Sequence, residues 1–403
     1  MASDTANSTL RPGRPAPWRD PRVRGIVLQI VFVAVLAAIV AFLVHNTVVN
    51  LRQRGIAGGF GFLGGEASFG IGESLIEYSP ADTYSRAFLV GLTNTLYVSA
   101  IGIVLATIVG TVMGLARLSS NWLVAKLAQI YVETFRNIPL ALQLLFWWGL
   151  LRGAAPAPRQ AWQPLPDVFV SNRGIVFPVP HEHPAHLWML GALVAAIAAT
   201  WAISRWANER QARTGQQFPS GWLGLGPVVG LPLVVFLAAG MPLQLDVPAL
   251  RGFNFSGGVA FSPEFAALLI GLVIYTGSFI AEIVRAGILA VSWGQSEAAL
   301  ALGLTAWQRM RLIVLPQALR VIVPPMTSEY LSLTKNSSLA VIIGYPDLVS
   351  IANTTINQTG HAVEGITMIM AVYLAISLAI SLVMNLSTAP SRWWSASGGR
   401  YRP

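Results

Sequence analysis

The sequence predicts an all-α integral membrane protein with about eight transmembrane helices. Three observations carry that expectation: a composition too apolar for water, a series of apolar runs long enough to cross a bilayer, and arginines gathered in alternate connections. Of 403 residues, 54% are hydrophobic and 11% charged, less than half the roughly 25% charged content of an ordinary soluble domain. A mean hydropathy of +0.60 leaves too few polar side chains to cover the outside of a soluble fold. The absence of cysteine excludes disulfides, thiolate metal sites and cysteine nucleophiles.

The first span is residues 25–45, where Gln29 is the only strongly polar side chain between Gly25 and Val44. At 1.5 Å per residue this run crosses a hydrocarbon core of about 30 Å. Arg11, Arg14, Arg19, Arg22 and Arg24 precede it within the segment 1–24. A cleaved signal peptide has an apolar core of only about 7 to 15 residues, so an uncleaved anchor entering from the cytoplasm is expected. A glycine-rich connection, 46–86, follows. Seven further apolar stretches lie at about 87–115, 138–151, 187–204, 223–241, 265–281, 321–344 and 365–386. The stretch 138–151 is too short alone and borrows residues before Pro139. The stretch 321–344 contains Pro324, Pro325, Glu329 and Lys335.

Charge gives an independent check on the span count. Eight spans return the C-terminal tail, 390–403, to the side on which the chain started, and the inside connections should then be rich in basic residues. They hold 18 of the 26 lysines and arginines, including Arg117, Lys126 and Arg136 after the second span and Arg285, Arg309, Arg311 and Arg320 after the sixth. Both termini are therefore expected in the cytoplasm. The external connections 46–86 and 152–186, rich in glycine and proline, show no hydrophobic periodicity of their own, and neither is expected to be a folded catalytic domain.

Between the sixth and seventh spans, in the segment 291–318, stands a fixed pattern: Glu297, Ala298, Ala299, three residues, Gly303, nine residues, Ile313, Val314, Leu315, Pro316. Ser296 is expected to cap a short helix with Glu297 in its first turn, and Gly303 to end it in a left-handed turn. A basic helix from about Ala306 and a restart at Pro316 should follow.

This pattern resembles the E-A-A, x3, G, x9, I-x-L-P loop of the permease subunits of ATP-binding-cassette importers, with every fixed position present. The stretches 131–143 (YVETFRNIPLALQ), 275–288 (YTGSFIAEIVRAGI) and 333–340 (LTKNSSLA) resemble the polar amino-acid branch of that family. Within the branch, 59–63 (GFGFL), 71–79 (IGESLIEYS) and 172–175 (NRGI) look like the longer permease subunit of general L-amino-acid importers, including those for glutamate, glutamine, aspartate and asparagine. The resemblance covers about residues 88–386. It implies a type I importer transmembrane domain over 87–389 in the bacterial inner membrane. Glu297, Ala298, Ala299, Gly303, Ile313, Leu315 and Pro316 would couple it to an ATPase dimer at the cytoplasmic face. It also implies a second homologous permease, a periplasmic amino-acid-binding protein and an L-amino-acid substrate. ATP and magnesium belong to the partner ATPase: the chain has no G-x-x-x-x-G-K-[ST], and neither of its lysines follows a glycine, so no cofactor and no catalytic residue is expected here.

Other polar groups are weighed against plainer roles. Glu282 and Arg285, three apart, form either a gate near the coupling loop or a structural ion pair at a membrane interface, and Glu133 and Arg136 share that spacing. Lys335, Asn336, Ser337 and Ser338 fall deep in a span, where polar groups face a cavity or another helix; a substrate pathway is one reading and helix packing the other. His181, Glu182, His183 and His186 match no standard metal spacing among their prolines and read as a solvated loop. Gly110 and Gly114 suit close helix packing. Trp147, Trp148, Trp188, Trp222, Trp393 and Trp394 read as interface anchors, not as a platform for nucleic-acid bases. An ion-coupled secondary transporter would use broken helices such as one at Pro324, but offers no role for the E-A-A loop. A membrane-embedded enzyme lacks paired carboxylates or a nucleophile elbow.

Overall fold

The computed structural model describes residues 21–53, 58–181, 183–216, 220–241 and 244–388. Arg11, Arg14, Arg19, Glu182, Trp393 and Trp394, with the rest of the tail 390–403, lie outside the described residues. Every predicted span has a helical counterpart: α1 (Pro21–Gln53), α2 (Tyr84–Ala116), α3 (Trp122–Asn137) running on into α4 (Leu140–Gly149), α5 (Pro184–Thr214), α6 (Ser220–Ala238), α7 (Pro263–Leu289), α10 (Leu315–Asn336) and α12 (Ala362–Thr388). The short helices α8 (Trp293–Ala301), α9 (Ala306–Arg309) and α11 (Leu348–Thr359) complete the set. Among the described residues, five helices are long and apolar enough to cross a membrane, and the apolar helices 140–154 and 226–238 are shorter.

The helix α7 is the central post. Phe265, Leu268, Leu272 and Ile280 on it are fully enclosed. It packs along α2 through glycines: a Cβ on Gly110 would lie 2.6 Å from Ile280 Cβ, and one on Gly114 2.7 Å from the Ala281 carbonyl oxygen. Gly102 faces Leu269 and Leu333. The partners of 102, 110 and 114 advance from 269 to 280 to 281–284, so α2 and α7 run parallel and in register. Without lateral hydrophobic drive in lipid, such close backbone approach is what holds helices together. The helix α10 runs the opposite way, with Ile322 against Gly287 and Leu333 against Gly102. In contrast, α1 exposes Ile26, Leu28, Phe32 and Phe42 around its circumference, the pattern of a lipid-facing span.

Pro139 breaks the third span into α3 and α4, and the sequence supplies the repair. The Gln143 side chain donates to the carbonyls of Phe135 and Ile138, both at 3.0 Å, satisfying groups that the interrupted helix leaves open. That keeps a non-helical joint tolerable at membrane depth.

The external connections carry short strands that the sequence analysis did not predict. Residues 158–180 fold into β1 (Trp162–Leu165), β2 (Val168–Ser171) and β3 (Gly174–Phe177), and β3 pairs antiparallel with β8 (Val259–Phe261), giving a four-stranded sheet. Small pairs β4 (Val179–Pro180) with β5 (Leu245–Asp246) and β6 (Ala249–Arg251) with β7 (Asn254–Ser256) flank it. The strands are only two to four residues long, and β3 finds its partner across the whole α5–α6 hairpin. No periodicity within one loop can report such a pairing. Segment 58–83 is likewise anchored: Gly59 N–H donates to Glu364 at 2.6 Å, and the Phe62 ring stacks on His361 with centroids 4.5 Å apart.

Candidate functional site

The segment joining α7 to α10 builds a projecting knob. Its first helix, α8, begins at Trp293 behind Ser292, so Ser296 lies inside the helix and does not cap it, and Glu297 sits in the second turn. The helix starts one turn earlier than expected because the chain leaves α7 at Leu289 and turns at once into α8; Ser292 holds the N-cap position through its backbone, without a hydrogen bond from its hydroxyl. Gly303 ends α8 as expected, with φ +74°, while Leu304 N–H reaches back to the Ala299 carbonyl at 3.1 Å. Thr305 then opens α9 with a capping box closed by Gln308. A π-helical turn, Met310–Val314, carries Ile313 to the start of α10, where Leu315 and Pro316 restart a regular helix.

Ala299 and Val314 are buried and pin the knob to the bundle, while Glu297, Ala298, Leu315 and Pro316 are exposed. Its tip is apolar: Trp293 is 75% exposed, Leu302 80% and Trp307 70%. Gly303 has nothing within 4 Å of where a Cβ would stand. Exposed apolar side chains grouped on one short segment are a feature of contact surfaces.

Just above the knob, α7 presents an ion cluster. Arg285 donates to both carboxylate oxygens of Glu282, at 2.6 and 3.1 Å, and Arg117 at the end of α2 donates to the same carboxylate. Glu282 therefore holds two guanidiniums and staples the ends of α2 and α7. The i,i+3 spacing exposed the Arg285 contact; Arg117 is 165 residues away, and nothing in the sequence pairs it. Glu133 and Arg136 do not repeat the pairing. Glu133 accepts from Gln129 at 2.6 Å, and the Arg136 guanidinium lies 4.9 Å from the Phe279 ring centre.

Lys335, in the last turn of α10, is exposed, Asn336 and Ser338 are half-buried, and Ser337 is fully enclosed, its hydroxyl donating to the Thr334 carbonyl at 2.7 Å. Ser338 donates to the Lys335 carbonyl. Because Leu333 lies level with Leu269 through Gly102, Lys335 and Glu282 are separated by about 20 Å along the bundle at 1.5 Å per residue. The structure thus divides the candidate pathway residues between two levels.

At the far end of the bundle from the knob, a buried hub went unread in the sequence. Asn94 donates to the carbonyls of Glu73 and Pro346, both at 2.9 Å, and Thr95 Oγ1 accepts from Leu348 N–H at 3.1 Å. Glu73 accepts from Ser262 at 2.5 Å; burial raises its carboxyl above the usual range and the Ser262 bond partly offsets that. Asp347 caps α11 by accepting from Val349 and Ser350, while burial pushes its carboxyl up to about 7. Within the loop of histidines, His183 Nδ1 accepts from Ala185 N–H and caps α5.

A multi-helix membrane bundle with a capped, protruding helical knob between two of its spans is the architecture of a transport-system membrane subunit. The chain belongs to the family of binding-protein-dependent transport system inner membrane components, whose profile spans residues 100–389. It is 50% identical over 366 residues to the general L-amino acid transport system permease protein AapQ of Rhizobium johnstonii, covering 91% of this chain and 92% of that one. It is 50% identical to the putative amino-acid ABC transporter permease protein YhdX of Escherichia coli K12, over 92% of this chain and 94% of the relative. Identity to the glutamate/glutamine/aspartate/asparagine transport system permease protein BztB of Rhodobacter capsulatus is 42%, over 91% and 93%.

Proposed function

We propose that this chain is the membrane-spanning permease subunit of an ATP-binding-cassette importer for polar or general L-amino acids. The observation that carries the reading is the knob: Glu297 to Pro316 hold the fixed spacing, and Trp293, Leu302 and Trp307 offer an apolar tip. The names of relatives aligned over nine-tenths of the chain supply the substrate class. In this reading an ATPase dimer grips the knob from the cytoplasm, a second permease completes the pore, and a binding protein delivers the amino acid from outside. Both termini lie in the cytoplasm, and ATP and magnesium stay with the ATPase. Closure of the ATPase moves the knob, which pulls on α7 and α10, and the Arg117–Glu282–Arg285 staple transmits that pull to α2. Lys335 offers a cation to a substrate carboxylate, so Lys335→Met should lower uptake of amino acids with anionic side chains more than neutral ones. The ion-coupled alternative leaves the knob without a partner.

The test is a gentle-detergent pull-down from native membranes with mass spectrometry of whatever accompanies the chain. A stoichiometric ATPase and a second permease are expected. Recovery of the chain alone, still catalysing uptake driven by an ion gradient, would sink the importer reading.

A further inference from the structure

Where α2 ends, α3 begins and α7 ends, the structure forms an open cleft of about 350 Å³ lined by Arg117, Trp122, Ala125, Lys126, Gln129 and Arg285. Three cations face it and no carboxylate lines it. The Glu282 carboxylate, which is not part of the lining, accepts one hydrogen bond from Arg117 and two from Arg285. A guanidinium has five N–H donors, so both arginines keep donors to spare. Lys126 has no hydrogen-bond or ion-pair partner among the described residues. The local balance is therefore cationic, with hydrogen-bond donors on more than one helix.

The rim differs in character. On α3, Trp122 is 74% exposed, and Leu123, Leu127 and Ile130 beside it are exposed as well. A tryptophan at the end of a span, with apolar side chains on one side and cations on the other, marks the level where acyl chains give way to headgroups. Basic pockets between spans at that level suit phosphate-bearing headgroups. We propose that this pocket binds the phosphate of an anionic phospholipid headgroup, with Arg117, Lys126 and Arg285 as donors and Trp122 and Leu123 against the acyl chains. The site touches the Glu282 staple directly, so an anion there would share the cations that hold α2 to α7. The inference needs only a bilayer around this end of the bundle and does not depend on which solute crosses.

The test is native mass spectrometry of the full assembly containing this chain, stripped of lipid in detergent and offered phosphatidylglycerol or phosphatidylcholine at equal concentration, with and without inorganic phosphate. Phosphatidylglycerol should be retained preferentially. Lys126→Gln should lower that retention about fivefold, the factor one basic side chain carries near an anionic surface, and Lys126→Arg should restore it. Equal retention of the two lipids, or a Lys126→Gln assembly that keeps phosphatidylglycerol like the wild type, overturns the proposal. Displacement of lipid by inorganic phosphate overturns the lipid assignment and leaves a free-phosphate site. An assembly without an ATPase that keeps the lipid preference would remove the importer reading and leave this pocket standing.

Discussion

Gly110 on α2 lies directly against Ile280 on α7, so close that a Cβ on the glycine would stand 2.6 Å from two carbons of the isoleucine. Only hydrogen fits at this contact, and Gly114, where a Cβ would stand 2.7 Å from the Ala281 carbonyl oxygen, repeats the relation one turn on. Gly110→Leu should separate α2 from α7 and cost about 1–3 kcal/mol, as overpacking of a tight core does. The check is the thermal midpoint of the detergent-solubilised protein, with Gly25→Leu, where nothing lies within 4 Å, as the comparison that should leave it unmoved.

Gly303 separates stability from coupling. Its φ of +74° disfavours any side chain, yet no atom occupies the space beside it. Gly303→Asn should keep the turn, since asparagine tolerates the left-handed region, and should retain most uptake. Gly303→Trp should still insert and fold but lose amino-acid uptake while the ATPase hydrolyses without transport. Normal uptake by the tryptophan variant would count heavily against the coupling role.

The carboxylate of Glu282 serves Arg117 and Arg285 together. Glu282→Gln should therefore destabilise more than Arg117→Gln, because it leaves two neighbouring guanidiniums without an anion. The groups keep partial exposure, so the loss should be about 2 kcal/mol, below the 3–5 kcal/mol of breaking a fully buried pair. Comparing the melting midpoints of the two single variants and the double variant decides it; independent, additive losses would contradict the shared staple.

Asp347 predicts a pH dependence. Its folded carboxyl holds a proton up to about 7, above the ordinary aspartate value. The folded state thus binds that proton more tightly than the unfolded chain, so this contribution is full at low pH and is lost as pH rises through about 7. The wild type should lose thermal stability between about pH 5 and about pH 8 relative to Asp347→Asn, which can still cap α11 and cannot ionise. Identical pH profiles for the two proteins would refute it.

Much of this molecule was legible in one dimension. Apolar runs of bilayer length report helices, because a chain in lipid must satisfy its backbone within each segment. The local geometry of 293–316 was readable for the same reason: a left-handed glycine at 303, a capped helix at Thr305 and a proline restart at 316 each depend on near neighbours. Even the misplaced cap at Ser296 failed by one turn only, since Ser292 and Ser296 are equal candidates until the end of α7 is known. What tertiary structure alone decided are the relations between distant segments. Arg117 joins Glu282, β3 finds β8 across the α5–α6 hairpin, and Asn94 holds Glu73 and Pro346. Each pairs groups whose types are common and whose separation along the chain is arbitrary, so their contact follows from how the helices pack and not from any spacing the sequence displays.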